Sequence, residues 1–166
     1  MQDMDYIQSK GFDLYRRSLY IFWKRTIAPP MMMNFDAAQR ESCVVRESRT
    51  NTPLQALDLM NDVTFVEAAR FIGQRMIKEG GADTESRLRY GFRLALGRSP
   101  STAEEQILRD NLSYHRDYFA GKQGDLEAFL KQGDSPFDPT IDRRELAAYT
   151  SVASVLLNMD EMVTKQ

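Results

Sequence analysis

Three chemically versatile residue types are almost missing, since the 166 residues include one cysteine, one histidine and one tryptophan. The lone Cys43 excludes an internal disulfide, and no histidine lies near it in sequence to support a thiol nucleophile. A single histidine, His115, cannot combine with a cysteine motif, which excludes the usual zinc-binding patterns. We therefore expect Cys43 to be buried and inert, and His115 to lie half-buried on a helix face.

Long apolar runs and known catalytic motifs are missing as well. No run approaches the roughly 18 residues of a membrane span, and the N-terminus, MQDMDYIQSKG, has acids where a signal peptide has basic residues. The net charge of −2 gives no overall attraction to nucleic acid. Neither CxxCH, GxGxxG, GxxxxGK[ST], HExxH nor GxSxG occurs. We expect no catalytic residue, metal or cofactor in this chain, and neither a nucleic-acid partner nor a membrane span.

What the sequence does contain is a succession of well-delimited helices. Its 42% apolar and 28% charged residues are typical of a globular protein with a real core. Helix N-caps are followed by apolar residues at helical spacing, and no strong alternating strand occurs. The caps are Thr52 with Gln55, Asp62, Ser101 with Glu104, and Asp142 with Glu145. The pattern predicts an all-α compact bundle of about six helices, the last one continuing to Val163.

The N-terminal part is aromatic and basic, and it differs from the rest. Tyr15, Leu19 and Phe22 are spaced for one helical stripe, which Pro29 and Pro30 would end. Residues 28–48 are predicted to be irregular and partly extended, with the run Met31–Met33 packing rather than binding a soft metal. We expect residues 1–48, a helix and an extended arm, to pack on a helical core of residues 49–166 within one domain.

The stretch RTNTPLQALDLMND, which begins at Arg49, allows two interpretations. A helix start attracts anions through its free N–H groups, and nearby arginines could complete an anion site. Alternatively, Thr52 and Gln55 cap the helix, and the arginines pair with internal acids such as Asp36, Glu41, Asp58 or Asp62. We favour capping, because it explains most of these residue types. The candidate anion ligands are Arg16, Arg17, Arg25, Arg49, Asn51, Thr52 and Gln55.

The aromatic residues of the arm also allow two interpretations. Aromatics beside arginines can stack on sugars or bases, but aromatics at helical spacing are more often core, and Trp23 lies close to two prolines. If the arm lacks the surface on which it normally packs, Tyr20, Phe22 and Trp23 become candidates for an interdomain contact or for self-association.

Several long stretches resemble one known family. They are LYRRSLYIFWKRT (14–26), PPMMMNFDAAQRESCVVRESRTNTPLQAL (29–57), MNDVTFVEAAR (60–70), LALGRSP (94–100) and SVLLNMDEMV (154–163). The chain resembles the C-terminal domain of planctomycete exported proteins, in which a cytochrome-c-like haem segment and a second domain usually come first. It departs from that pattern at Ala28, Glu47, Ser48 and Tyr149.

The resemblance implies an extracytoplasmic domain cut from a longer protein, with haem only in an upstream part. Two functions follow as expectations. One is a non-catalytic interaction or scaffold domain whose partners are the upstream domains of the parent chain. The other is a module that binds an anion or an acidic or sulfated saccharide and contributes to a site shared with those domains.

Overall fold

The computed structural model describes residues 9–21, 28–37, 45 and 50–164, apart from the side chain of Ser18. This part of the chain is all-helical and contains no strand, which confirms the predicted fold class. It has eight α-helices rather than about six, and two 3-10 helices, Gly11–Tyr15 and Ser18–Tyr20. The α-helices are α1 (Pro30–Asn34), α2 (Pro53–Asn61), α3 (Val63–Glu79), α4 (Thr84–Leu96), α5 (Thr102–Ala120), α6 (Gln123–Leu130), α7 (Arg143–Leu157) and α8 (Asp160–Val163).

The N-terminal predictions need correction. In place of a continuous helix through Tyr15 and Leu19, the chain forms two short 3-10 helices separated by extended backbone at Arg16. Bulky aromatic residues lose rotamer freedom in a helix, and a short helix is marginal without a packed face. Pro30 begins α1, because proline is well tolerated at the first helical position. The prediction of an irregular segment is therefore wrong for Pro30–Asn34.

The chain divides into two compact units, Met1–Asp58 and Leu59–Gln166, and the boundary falls inside α2. The predicted division after residue 48 remains a prediction, since residues 46–49 lie outside the described part of the chain.

Local cap signals define three helices of the second unit, α3, α5 and α7, as expected. The Asp62 carboxylate accepts from the Thr64 N–H at 2.8 Å and starts α3. Ser101 and Glu104 form the predicted reciprocal capping box at the start of α5. The Asp142 carboxylate accepts from the Glu145 N–H at 3.0 Å and starts α7. These caps were recognisable because every partner lies within three residues.

Helix α7 is the centre of the second unit. It packs against α3, α4, α5 and α6, and every residue from Leu146 to Ala153 is buried. Gly73 of α3 lies directly on the α7 backbone, where an added Cβ would be 3.0 Å from the Thr150 nitrogen. The missing side chain thus lets α3 and α7 approach closely. The buried Thr150 hydroxyl donates to the Leu146 carbonyl at 2.7 Å, which satisfies it inside the helix.

The core consists of two clusters along α7. One joins α3, α4, α5 and α7 through residues such as Met76, Phe92, Leu112, Tyr149 and Leu156. The other joins the end of α5, α6 and the start of α7 through Phe119, Leu126, Leu130, Ile141 and Leu146. Each large apolar side chain buried in this way contributes about 1.5–3 kcal/mol of transfer free energy.

The C-terminal prediction also needs correction, because the last helix is interrupted. Helix α7 ends at Leu157, and Met159 has extended backbone before α8 begins. Leu156 is buried as expected, but Met159 and Val163 are only partly buried. Helix α6 was missed because it is only eight residues long and has no side-chain cap.

Candidate functional site at the start of α2

The start of α2 is a closed hydrogen-bond arrangement. The Thr52 N–H donates to the Gln55 Oε1 at 3.0 Å, and the Gln55 N–H donates to the Thr52 Oγ1 at 3.3 Å. Pro53 is the first helical residue, where its missing N–H is not needed. The predicted capping box is therefore confirmed, and it uses groups of Thr52 and Gln55 that were proposed to bind an anion.

Gln55 also connects α2 to the preceding helix. Its side chain is only 2% exposed, and its Nε2 donates to the Asn34 carbonyl at 2.7 Å and to the Thr50 Oγ1 at 3.3 Å. The Asn34 side chain in turn donates to the Asp58 carboxylate at 2.7 Å. The end of α1 is thus linked to α2 by two side-chain amides, a role that no local motif indicated.

A carboxylate lies beside the chain segment that leads into α2. One oxygen of Asp36 accepts from both the N–H and the hydroxyl of Thr50, each at 2.7 Å. Asp36 has a φ of 57°, a left-handed conformation that aspartate tolerates better than most residues. Negative charge near a helix start is stabilising, so Asp36 provides from within the chain the charge that a bound anion would bring.

The predicted arginines are only partly described. Arg16 pairs with Asp13 at 2.8 Å, and both side chains are more than half exposed. It was expected to pair with Asp36 or Asp58, but those carboxylates accept from Thr50 and Asn34 instead.

Among the other predicted anion ligands, Arg17 and Asn51 are exposed. Arg25 and Arg49 lie outside the described residues, as do Glu41 and Cys43, so the predicted anion site stays a prediction.

The first unit exposes large apolar side chains. Phe12 is 94%, Leu19 75% and Tyr20 66% exposed. Among its described residues only Pro29 and Gln55 are buried. Phe22 and Trp23, which were predicted to join Tyr20 in an interdomain contact, lie outside the described residues. Exposed apolar surface of this kind is typical of interaction sites.

A second group of polar residues, which the sequence reasoning missed, lies on α3. Glu67, Arg70 and Gln74 are buried, and their side chains hold the backbone of the segment 130–138. The guanidinium of Arg70 donates to the carbonyls of Leu130 and Ser135, both at 2.6 Å. Glu67 accepts from the Asp134 N–H at 2.8 Å, and Gln74 accepts from the Asp138 N–H at 2.9 Å.

Glu67, Arg70 and Gln74, the polar row of α3, hold a loop in place and do not form an open site. Lys78 continues it one turn further along α3 and pairs with the Asp138 carboxylate. That ion pair and the hydrogen bonds from Thr140 hold the pKa of Asp138 well below its ordinary value. Gly133 has a φ of +91°, and a Cβ there would overlap the Glu67 carboxylate. The sequence signal that could have revealed this group is the spacing of its polar residues at i, i+3, i+7 and i+11 on α3.

His115 lies half-buried on α5, as predicted, and its ring stacks on Phe119 at a centroid distance of 6.1 Å. Burial lowers the pKa of His115 and favours the neutral imidazole. Its Nδ1 is buried and has no hydrogen-bond partner among the described residues. Within the same part of the chain, no group of three potential ligands could hold a metal ion, and no helix has the length and apolarity needed to cross a bilayer.

Comparison with known proteins identifies the family. The family model PSD1, described as protein of unknown function (DUF1553), matches residues 1–112, which include the whole first unit and the first half of α5. No curated protein and no solved structure matches the chain. The matched part covers more than half of the sequence and contains the α2 start described above. The chain therefore belongs to the PSD1 family of proteins of unknown function (DUF1553).

Proposed function

We propose that this chain is a non-catalytic interaction domain, the C-terminal part of a larger exported cytochrome-c-associated protein. In this proposal the first unit docks on the upstream domains of that parent chain, and haem belongs to those domains alone. The observation that carries the proposal is the exposure of Phe12, Leu19 and Tyr20 in a unit whose described residues include few buried ones.

The polar groups of the α2 start support the same proposal. Thr52, Gln55 and Thr50 are occupied by hydrogen bonds within the chain, and Asp36 adds a carboxylate beside them. A bound sulfate or carboxylate at this place would meet that negative charge and would have to displace existing partners.

The test is association between this chain and the separately expressed domain that precedes it in the parent. We expect a complex in sedimentation velocity and calorimetry that is at least tenfold weaker with Leu19→Ser and Tyr20→Ser combined, because removing buried apolar contacts lowers affinity. Ile107→Ser is the matched control, since Ile107 is 63% exposed but lies in the second unit.

Two results would contradict the proposal. One is the absence of a complex at tens of micromolar protein. The other is an equal loss of affinity in the control variant. The alternative function, binding of an anion or an acidic or sulfated saccharide, predicts instead that sulfated oligosaccharides raise the melting temperature saturably and that Arg49→Ala abolishes this effect.

A further inference from the structure

An open cleft of about 540 Å³ lies along one face of α4 in the second unit. The side chains that line it are those of Ser86, Arg89, Tyr90, Arg93 and Leu94. Its size falls in the range of small-molecule sites, and it combines an aromatic ring, an aliphatic side chain and two cations. None of these residues belongs to the α2 start or to the polar row of α3.

The ring of Tyr90 is held in place from the side of α3. Its hydroxyl donates to the Glu79 carboxylate and accepts from the Arg75 guanidinium at 2.9 Å. The Arg75 Cζ also lies 6.0 Å from the ring centroid. A side chain that is fixed before binding loses little conformational entropy when a ligand packs on it.

The two arginines of the cleft differ in whether a carboxylate of the chain pairs with them. Arg89 is neutralised by Glu105, to which its Nε and Nη2 donate at 2.5 and 3.0 Å. Arg93, one turn further along α4, is exposed and makes no ion pair with any carboxylate that the structure describes. Its guanidinium can therefore present a planar pair of N–H donors to a carboxylate.

We propose that the α4 cleft binds a ring-bearing organic carboxylate. The carboxylate pairs with Arg93, and the ring packs on Tyr90 and Leu94. A bare inorganic ion would occupy only a small part of the cleft and would leave the apolar side chains uncovered. This proposal concerns the second unit and does not depend on docking by the first.

The test is an NMR titration of the full chain, followed through its backbone amide signals, with four probes. Benzoate and glucuronate carry the same carboxylate on a flat and on a saturated ring. Glucose offers a ring without charge, and sulfate offers charge without a ring. We expect saturable shifts at Tyr90, Arg93 and Leu94 with benzoate or glucuronate, with a Kd of about 1 mM or tighter, and at least tenfold weaker binding of glucose and sulfate.

Arg93→Gln should weaken this binding at least tenfold, whereas Arg144→Gln, a change at an exposed arginine of α7, should leave it unchanged. Unaltered amide spectra away from α4 will show that both variants fold. Absence of saturable shifts with both carboxylates would overturn the proposal. So would binding of sulfate as tight as that of the carboxylates, or equal losses in the two variants.

Discussion

Gln55 satisfies both polar ends of its side-chain amide although almost none of its surface reaches water. Its Oε1 accepts from Thr52, and its Nε2 donates to Asn34 and Thr50. Buried amides of this kind are costly to leave unpaired and stabilising when every partner is present. At the scale of single residues, Gln55 therefore joins the start of α2 to the end of α1 and to Thr50.

Gln55→Ala should loosen the start of α2. Loss of these hydrogen bonds should cost about 1–3 kcal/mol locally, and amide hydrogen exchange in residues 50–61 should become roughly tenfold faster or more. Gln106→Ala is the matched control, because Gln106 is an exposed glutamine whose side chain donates to Asp110 on its own helix. Unchanged exchange in Gln55→Ala would show that the network does not stabilise α2.

At the scale of elements, the polar row of α3 ties together parts of the chain that are 60 to 67 residues apart. Arg70 is the central member, and its guanidinium also lies 6.0 Å from the Phe137 ring. The loop between α6 and α7 contains two prolines and little secondary structure. Its conformation is therefore set by side chains of α3 rather than by its own backbone hydrogen bonds.

Arg70→Met should release this loop. Removing the guanidinium leaves the carbonyls of Leu130 and Ser135 without their donor, and each buried acceptor left unsatisfied costs about 1–3 kcal/mol. Urea unfolding should report that loss, and hydrogen exchange should accelerate in residues 131–142. Arg75→Met on the exposed face of the same helix should cost less than about 1 kcal/mol. Similar losses in both variants would contradict a special role for Arg70.

The helix caps could be predicted from the sequence, but the contacts between distant elements could not. Thr52 with Gln55 and Ser101 with Glu104 were recognisable because both partners of each cap are three residues apart. Pro30 was misinterpreted because proline both ends and begins helices, and only tertiary packing decides between the two. The contacts of Arg70 and the pairing of Asn34 with Asp58 could not be predicted, since they join segments that are distant in sequence. Nor could the α4 cleft, because it depends on Arg75 and Glu79 of another helix.

At the scale of the whole molecule, exposed ion pairs connect the ends of several helices. Arg98 follows α4, donates to Glu104 at the start of α5, and donates to Glu161 of α8. Its guanidinium and the Ser101 cap hold the pKa of Glu104 at about 2, below the ordinary 4.5. These partners are substantially exposed, so salt will screen the pairing.

Stability should fall in acid in two ranges. His115 has a lowered pKa in the folded state because of burial, so protonation favours the unfolded chain as the pH falls below about 6.5. Glu104 also binds its proton less readily when folded, so its contribution is present above pH 4.5 and is lost as the pH falls toward about 2. The melting temperature should decrease through both ranges.

Melting temperatures measured from pH 8 to pH 2 check this expectation. Glu104→Gln should be less stable at neutral pH and should show a shallower decline below pH 4.5. Glu127→Gln, which removes an exposed ion pair with Lys131 at 3.8 Å, should retain the wild-type profile. If the melting temperature of Glu104→Gln falls as steeply below pH 4.5 as that of the wild type, groups other than Glu104 cause the loss of stability in acid.

The middle of α7, from Leu146 to Ala153, is buried on all sides, and this has a consequence for synthesis on the ribosome. Helices α3 and α5 leave the exit tunnel before the helix that covers their apolar faces. At translation rates of about 5–20 residues per second, the end of α7 follows the end of α3 by roughly 4–16 s. During that interval α3 and α5 can bury their apolar faces only against each other, against α4 and α6, or against a chaperone. Completion of this fold should therefore occur late and cooperatively, when α7 inserts between partners that are already helical.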